Sequence, residues 1–119
     1  MQTPARITFR HMTVSAAAQE RIREHIAYLE QHFDNLVSCR VVIDTPPAHR
    51  TQGGPFSVRI ELTLPGREIF VSNESDNTAT HANVYIAIRD TFAAAERKLD
   101  HYVRRRRGEV KSRSQPQLQ

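Results

Sequence analysis

The chain has 119 residues, of which 39% are hydrophobic and 25% charged, and it contains no tryptophan. This length suits one domain with a modest aliphatic core that needs no metal or disulfide staple. The only cysteine, Cys39, excludes an internal disulfide, no apolar run approaches the roughly 18 residues of a membrane span, and the N-terminus has no signal-peptide pattern. We therefore predict a cytoplasmic protein with no membrane partner and a buried, unreactive Cys39 thiol.

The first elements in chain order are a short strand and a helix. Alternating side chains at Ala5–Phe9 predict the strand, and Ser15 is a suitable N-cap for the helix. Apolar side chains then recur at steps of three and four, which predicts a helix with a narrow buried stripe. That stripe comprises Ala18, Ile22, Ile26, Leu29 and Phe33. We expect the helix to end at Asp34-Asn35.

Three strands follow. Val37–Asp44 predicts the second strand, and the TPPAHRTQGGP stretch at residues 45–55 predicts a long, mobile connection. Phe56–Leu64 alternates apolar and polar side chains most regularly. Pro65-Gly66 indicates a tight turn, after which Glu68–Ser72 returns as the hairpin partner.

The last element is a helix predicted from about Ala82 to the residue before Gly108, because nothing interrupts its pattern. Its core stripe is Val84, Ile88, Thr91, Ala95, Leu99 and Tyr102, with Phe92 at the edge. We predict one domain at residues 1–107 and a disordered basic and polar tail at residues 108–119.

The element order is therefore β-α-β-β-β-α. A β-α-β start favours parallel pairing of its two strands, and the hairpins that follow are antiparallel. Because strand 56–64 has one apolar face, both helices should cover one side of the sheet. The predicted fold is an α+β two-layer sandwich, with two helices packed on one face of a four-stranded mixed sheet.

The sequence offers little from which to build an active site. His25 and His32 lie two helical turns apart, which is too far for a shared metal without further ligands. No Ser/His/Asp arrangement appears, and Gly53-Gly54 lies in a proline-flanked connection rather than between a strand and a helix. We predict no enzyme, no metal, no cofactor and no small-molecule substrate.

The positive charge is concentrated at the C-terminal end. Residues 1–103 hold 11 Lys and Arg against 12 Asp and Glu, whereas residues 104–119 hold six against one, which gives the net charge of +4. On the last helix, Arg89, Arg97, Arg104 and Arg107 fall within about 80° of arc. Pairing with Glu96 and Asp100 would make this a self-paired solvated face. The Arg104–Arg107 run exceeds what a helix terminus favours and indicates a polyanionic partner.

Two motifs in register with this order carry a family resemblance. LEQHFD closes the first helix at Leu29–Asp34, and NVYIAIRD opens the last at Asn83–Asp90. Over about residues 5–107 the chain resembles the ribosome hibernation promoting factor and ribosome-associated inhibitor family, in a short, single-domain form. The resemblance implies a protein that lies over the decoding region of the small ribosomal subunit, between head and body, and blocks translation.

In that family basic side chains of both helices contact ribosomal RNA, and Arg97 and Arg104 match this role by position. The chain departs from the family pattern elsewhere. His25 and Tyr28 stand where the family has lysines, Arg89 where it has an aspartate and Ala94 where it has a lysine. These departures move the basic surface toward the end of the last helix.

The resulting hypothesis is a ribosome-associated stress factor, a monomer or weak dimer, that binds the small subunit through phosphates of its RNA. The candidate nucleic-acid-binding residues are Arg21, Arg23, His25, Arg89, Arg97, Lys98, Arg104, Arg105, Arg106 and Arg107. One alternative is a general double-stranded RNA-binding or chaperone-like module, since helices on one face of a sheet also suit duplex RNA. Another is a protein-interaction domain with an incidental basic tail.

Overall fold

The computed structural model describes residues 2–45, 56–73 and 83–105. Within these ranges the elements follow the predicted order, and each strand boundary lies within one residue of its prediction. The bounds are β1 Arg6–Arg10, α1 Ala16–His32, β2 Ser38–Asp44, β3 Ser57–Leu64, β4 Arg67–Ser72 and α2 Val84–Arg104. Residues 46–55 of the connection predicted at 45–55, residues 106–107 at the predicted end of the last helix, and the predicted tail at residues 108–119 lie outside the described residues.

The four strands form one sheet in the order β1-β2-β3-β4. As predicted, β1 and β2 are parallel, whereas β2–β3 and β3–β4 are antiparallel. Parallel neighbours need a long crossover, and α1 supplies it. The β3–β4 hairpin turns at Pro65-Gly66, where Gly66 has a φ of 75°. Proline followed by a glycine with positive φ is the pattern of a type II turn.

Helix α1 begins at the predicted cap. The Ser15 hydroxyl accepts a hydrogen bond from the Ala18 backbone N–H at 3.2 Å, which satisfies a donor that the first turn leaves unpaired. All five residues of the predicted stripe are buried. Phe33 has left the helical conformation, but its N–H still donates to the Leu29 carbonyl. The apolar stripe therefore extends one residue past the helix itself.

Helix α2 begins two residues later than predicted because Asn83 caps it. The Asn83 side chain accepts hydrogen bonds from the N–H groups of Tyr85 at 2.8 Å and Ile86 at 3.4 Å. Phe92, at the edge of the predicted stripe, is buried and only 3% exposed. Helix α2 contacts α1 as well as the sheet, and two packing partners bury a wider arc than one.

The core fills the space between the helices and one face of the sheet, and it is mainly aliphatic. Val41, Ile60 and Leu99 are each fully buried there. Cys39 lies on the same face of β2 and is 2% exposed. Burial raises the pKa of its thiol to about 12, so the thiolate is disfavoured at physiological pH, as the sequence predicted.

The opposite face of the sheet is open, which confirms that both helices cover one side. Arg40 of β2 and Glu61 of β3 are cross-strand partners on this open face, with Nη1 and Oε1 3.7 Å apart. Phe70 of β4 is 55% exposed. Within the described ranges, neither helix is long and apolar enough to cross a membrane.

Candidate nucleic-acid interface

Two surface depressions flank α2, and together they hold six of the ten candidate residues. We call the first the interhelical cleft; it is lined by Arg21, Glu24, His25, Tyr28, Tyr85, Ile86 and Arg89. We call the second the α2–β4 groove; it is lined by Arg67, Glu68, Ile69, Phe70, Ala94, Arg97, Lys98, His101, Tyr102 and Arg105. The sequence placed Arg89 and Arg97 on one arc, but they line different depressions.

In the interhelical cleft, Arg21 contacts both helices. Its guanidinium carbon lies 5.4 Å from the centre of the Tyr85 ring, a cation–π distance. Its Nε is also 3.8 Å from the Glu24 carboxylate, one helical turn along α1. The charge of Arg21 is therefore shared between two partners within the protein.

His25 is stacked on Phe92, at the edge of the core stripe of α2. Its imidazole lies parallel to the Phe92 ring, with centroids 4.8 Å apart and planes 10° apart. Burial lowers the pKa of His25 from its ordinary value of 6.5, and the Arg21 charge lowers it further against a smaller opposing effect of Glu24. At neutral pH the ring is therefore uncharged, so it can hydrogen-bond a phosphate but adds no positive charge.

Tyr28 joins the two helices at the next turn. Its hydroxyl donates to Oε2 of Glu96 at 2.9 Å, and its ring stacks on His32 with centroids 3.9 Å apart. The hydrogen bond to the Glu96 carboxylate raises the pKa of Tyr28. This contact occupies Glu96, one of the two acids that could have neutralised the arginines of α2.

Arg89, at the far wall of the cleft, has an acidic neighbour. Its Nε lies 3.0 Å from Oδ1 of Asp90, and the Arg89 side chain is 66% exposed. An exposed pair of this kind is worth only about 0–1 kcal/mol. Arg89 can therefore exchange Asp90 for an external phosphate at little cost.

The α2–β4 groove is the more basic depression. Arg97 and Lys98 reach it from one turn of α2, Arg105 from about two turns further on, and Arg67 from the start of β4. Glu68 is the one acid among its described lining residues. The Arg67 guanidinium lies 5.9 Å from the centre of the Tyr102 ring, so the aromatic side chain positions this charge.

Lys98 fixes one point of the groove. Its Nζ donates to the Phe70 backbone carbonyl at 3.1 Å. This hydrogen bond ties α2 to β4, the last strand of the sheet, and holds the ammonium group at the strand edge. A primary ammonium keeps two further donors for another acceptor.

Arg104 lies outside both depressions on the exposed side of α2. Its Nη2 is 3.4 Å from Oδ2 of Asp100, and both side chains are more than half exposed. This is the self-pairing that the sequence suggested, at a separation of one helical turn. It contributes about 0.3–0.5 kcal/mol, so Arg104 too is available to a stronger partner.

The remaining candidates are not brought to this surface. Arg23 lies on the flank of α1 that faces the N-terminal segment, in a shallow depression with Gln2, Thr3 and Ala5. Arg106 and Arg107 lie outside the described residues. In the described ranges, no group of three or more His, Cys, Asp or Glu side chains is close enough to hold a metal ion.

Among the groove residues that the sequence did not single out are Arg67 and Phe70. Both belong to β4, and their nearness to α2 depends on which strand the helix covers. Alternation within β4 could have shown that Phe70 faces away from Ile69. It could not have shown that β4 is an edge strand or that Lys98 reaches it.

This architecture defines a small α+β binding protein with a cationic groove beside its second helix. Residues 5–107 match the family described as Sigma 54 modulation protein / S30EA ribosomal protein. The chain belongs to this family, which confirms the resemblance and makes it a ribosome-associated protein of a non-enzymatic class.

Solved structures of two proteins share the fold. A ribosomal subunit interface protein from Coxiella burnetii superimposes with a TM-score of 0.66 at 15% identity, over 82% of this chain and 94% of that one. The N-terminal domain of Protein Y from Thermus thermophilus does so with a TM-score of 0.63 at 18% identity, over the same shares of the two chains. No curated protein shows significant sequence similarity.

Proposed function

We propose that this protein binds the small ribosomal subunit at its decoding region, through contacts to ribosomal RNA phosphates, and thereby inhibits translation. Family membership supports a ribosomal partner, and a structural neighbour is described as a ribosomal subunit interface protein. The cytoplasm is then its place of action. A monomer or weak dimer suffices, because the interface requires only one copy.

The observation that carries the proposal is the convergence of Arg97, Lys98 and Arg105 on one groove, with Arg104 beside it. Cations spaced along a helix match the repeating charge of an RNA backbone. Such contacts position a protein without recognising the RNA sequence. This is sufficient for a partner whose shape is fixed. Arg106 and Arg107 continue the same run in sequence, and we include them in the proposed interface.

The interhelical cleft is the weaker part of the proposed interface. Arg21 and His25 are engaged with aromatic side chains of α2, and His25 is uncharged at neutral pH. Arg89 is the cleft residue best able to reach a phosphate. Arg23 faces another direction, so we expect it to contribute least.

The test is co-sedimentation with purified small subunits over a range of salt concentrations. The Arg97→Gln/Arg104→Gln/Arg105→Gln variant should bind more weakly and should flatten the salt dependence. Each lost phosphate contact lowers the slope of log K against log salt by about 0.7–0.9. In vitro translation should be inhibited less by this variant than by the wild-type protein.

A matched control removes the same charge from the open face of the sheet. Arg6, Arg10 and Arg59 are exposed there, and Arg6→Gln/Arg10→Gln/Arg59→Gln should keep the wild-type salt slope. An equal loss of small-subunit binding in both variants would show that only the net charge of the protein matters. This outcome would contradict the proposed interface. Competition by duplex RNA as effective as that by small subunits would favour the general RNA-binding alternative.

A further inference from the structure

The edge of β4 faces the α2–β4 groove, and its hydrogen-bonding groups can be assigned. Phe70 is opposite Glu61, three pairs along from the Leu64–Arg67 pair that closes the two-residue turn, so alternation along the ladder makes this a pair without mutual hydrogen bonds. Its carbonyl accepts from Lys98. The N–H and C=O of a strand residue point to the same side. The Phe70 N–H therefore also points outward, and so does that of Glu68, two residues earlier.

This edge is unsuited to an added peptide strand. Strand addition needs alternating donors and acceptors along the edge, but Lys98 already occupies the Phe70 carbonyl at 3.1 Å. The edge still offers outward the N–H groups of Glu68 and Phe70 and the Glu68 carbonyl, next to the cations Arg67, Arg97 and Arg105. The two N–H donors and the neighbouring positive charges together match an anionic backbone.

Phe70 adds an aromatic surface at the rim of the groove. Alternation places its ring on the open face of the sheet, opposite Ile69 and Val71, and the residue is 55% exposed. Glu61 is its cross-strand neighbour, but that carboxylate is 3.7 Å from Arg40. The ring lies on the open side of the edge strand and the cations line the groove on its helix side. A single strand that crosses this edge can stack a base on the ring while its phosphates meet the charges.

We propose that the α2–β4 groove binds a single-stranded segment of RNA, with phosphates along Arg67, Arg97, Lys98 and Arg105 and one base stacked on Phe70. The proposal rests on the proposed function in that ribosomal RNA supplies this segment. It adds a preference for single strands over duplexes, since a paired base cannot present its face to the Phe70 ring.

The experiment measures binding of the full chain to a labelled eight-nucleotide oligouridylate and to an eight-base-pair RNA duplex by fluorescence anisotropy. Phe70→Ala should weaken oligouridylate binding about tenfold, a typical loss for one stacked base, and should change duplex binding less than twofold. Phe70→Tyr keeps a ring and should remain within twofold of wild type. Val14→Ala is the control, because Val14 is also an exposed apolar side chain, at 60%.

The charges are tested separately through the salt dependence. Arg67→Gln should lower the slope for oligouridylate by about 0.7, whereas Arg10→Gln, on the other edge strand, should leave it unchanged. Circular dichroism melting shows that each variant is folded. Oligouridylate binding by Phe70→Ala equal to wild type, or equal losses on the single strand and the duplex, would overturn the groove assignment.

Failure of this inference is distinguishable from failure of the proposed function. Ring-dependent binding of oligouridylate by a protein that does not co-sediment with small subunits would remove the ribosomal role and keep the groove. Co-sedimentation of the protein with small subunits, combined with oligouridylate binding that Phe70→Ala leaves unchanged, would keep the ribosomal role and remove the groove assignment. With a photo-crosslinking residue at position 70, cross-links to ribosomal RNA are expected, and cross-links only to a ribosomal protein would overturn the assignment in favour of a peptide partner.

Discussion

The flank of α1 that faces α2 and the C-terminal half of α2 both present polar side chains at the surface, but they use them differently. Arg21, His25 and Tyr28 of α1 each contact a side chain of α2. Arg97 and Arg105 of α2 instead line an open groove. Exposure and residue type are thus poor guides to a binding surface; what matters is whether each side chain already has a partner within the fold.

The largest expected effect tests whether the two sides of α2 have separate roles. Leu99→Ala removes a fully buried side chain and should lower the free energy of unfolding by about 2–5 kcal/mol. Arg97→Gln, two residues earlier on the exposed side, should change it by less than about 0.5 kcal/mol. Urea denaturation of both variants measures this difference. A comparable loss of unfolding free energy in Arg97→Gln would show that the Arg97 side chain has a structural role.

The next effect compares one arginine from each helix in small-subunit binding. Arg97→Gln should weaken binding about fivefold to tenfold, whereas Arg21→Gln should stay within twofold of wild type. Arg21→Gln should instead lower the free energy of unfolding by about 0.5–1 kcal/mol, because it loses the cation–π contact with Tyr85. Filter binding and thermal melting of the same preparations give both values. Equal binding losses would remove the distinction between the helices.

A smaller effect concerns the histidine between the helices. The pKa of His25 is lowered in the folded protein, so on acidification the unfolded chain takes up its proton first, near pH 6.5. The free energy of unfolding should therefore fall as the pH decreases through 6.5, and this contribution should level off below the folded pKa. Because His25 is only half-buried, the decrease should be much smaller than that caused by Leu99→Ala.

The control for this effect is His25→Gln, which cannot titrate and should show a flatter pH dependence between pH 7.5 and 5. His32→Gln is the matched variant, since His32 is also on α1 but exposed. A pH dependence unchanged in His25→Gln would show that other groups cause it.

The smallest effect changes the charge of the α2 end without touching a proposed ligand. Asp100→Asn removes the carboxylate 3.4 Å from Arg104 and should lower the free energy of unfolding by about 0.3–0.5 kcal/mol. Binding to small subunits at low salt should become about twofold tighter, because Arg104 no longer exchanges one partner for another. Weaker binding would mean that Asp100 orients Arg104 for its contact.

Much of the fold could be predicted from the sequence because its local signals agree with one another. The Ser15 cap, the α1 stripe and the alternation of β3 each have the periodicity of one element, and each is found as predicted. Phe92, at the edge of the predicted stripe, is buried because α1 packs against it, which no pattern within α2 reveals. Tertiary packing thus buries a wider arc of α2 than its helical periodicity predicts.

The candidate site was less predictable for the same physical reason. The positions of Arg97 and Arg105 follow from helix geometry, but the separation of Arg89 from them depends on what packs on either side of α2. Arg67 and Phe70 enter the groove only through the strand order. The engagement of His25 and Tyr28 could not be foreseen, since both contacts join residues more than sixty positions apart.

The burial of Cys39 gives the protein an internal probe of its own opening. It is the only thiol in the chain, it is 2% exposed in the core face of β2, and its pKa is about 12. A thiol-directed reagent should therefore react only with molecules whose sheet has separated from its helices. Since a partner that binds only the folded state suppresses such openings, slower labelling of Cys39 in the presence of ribosomes would report association without any attached dye or tag.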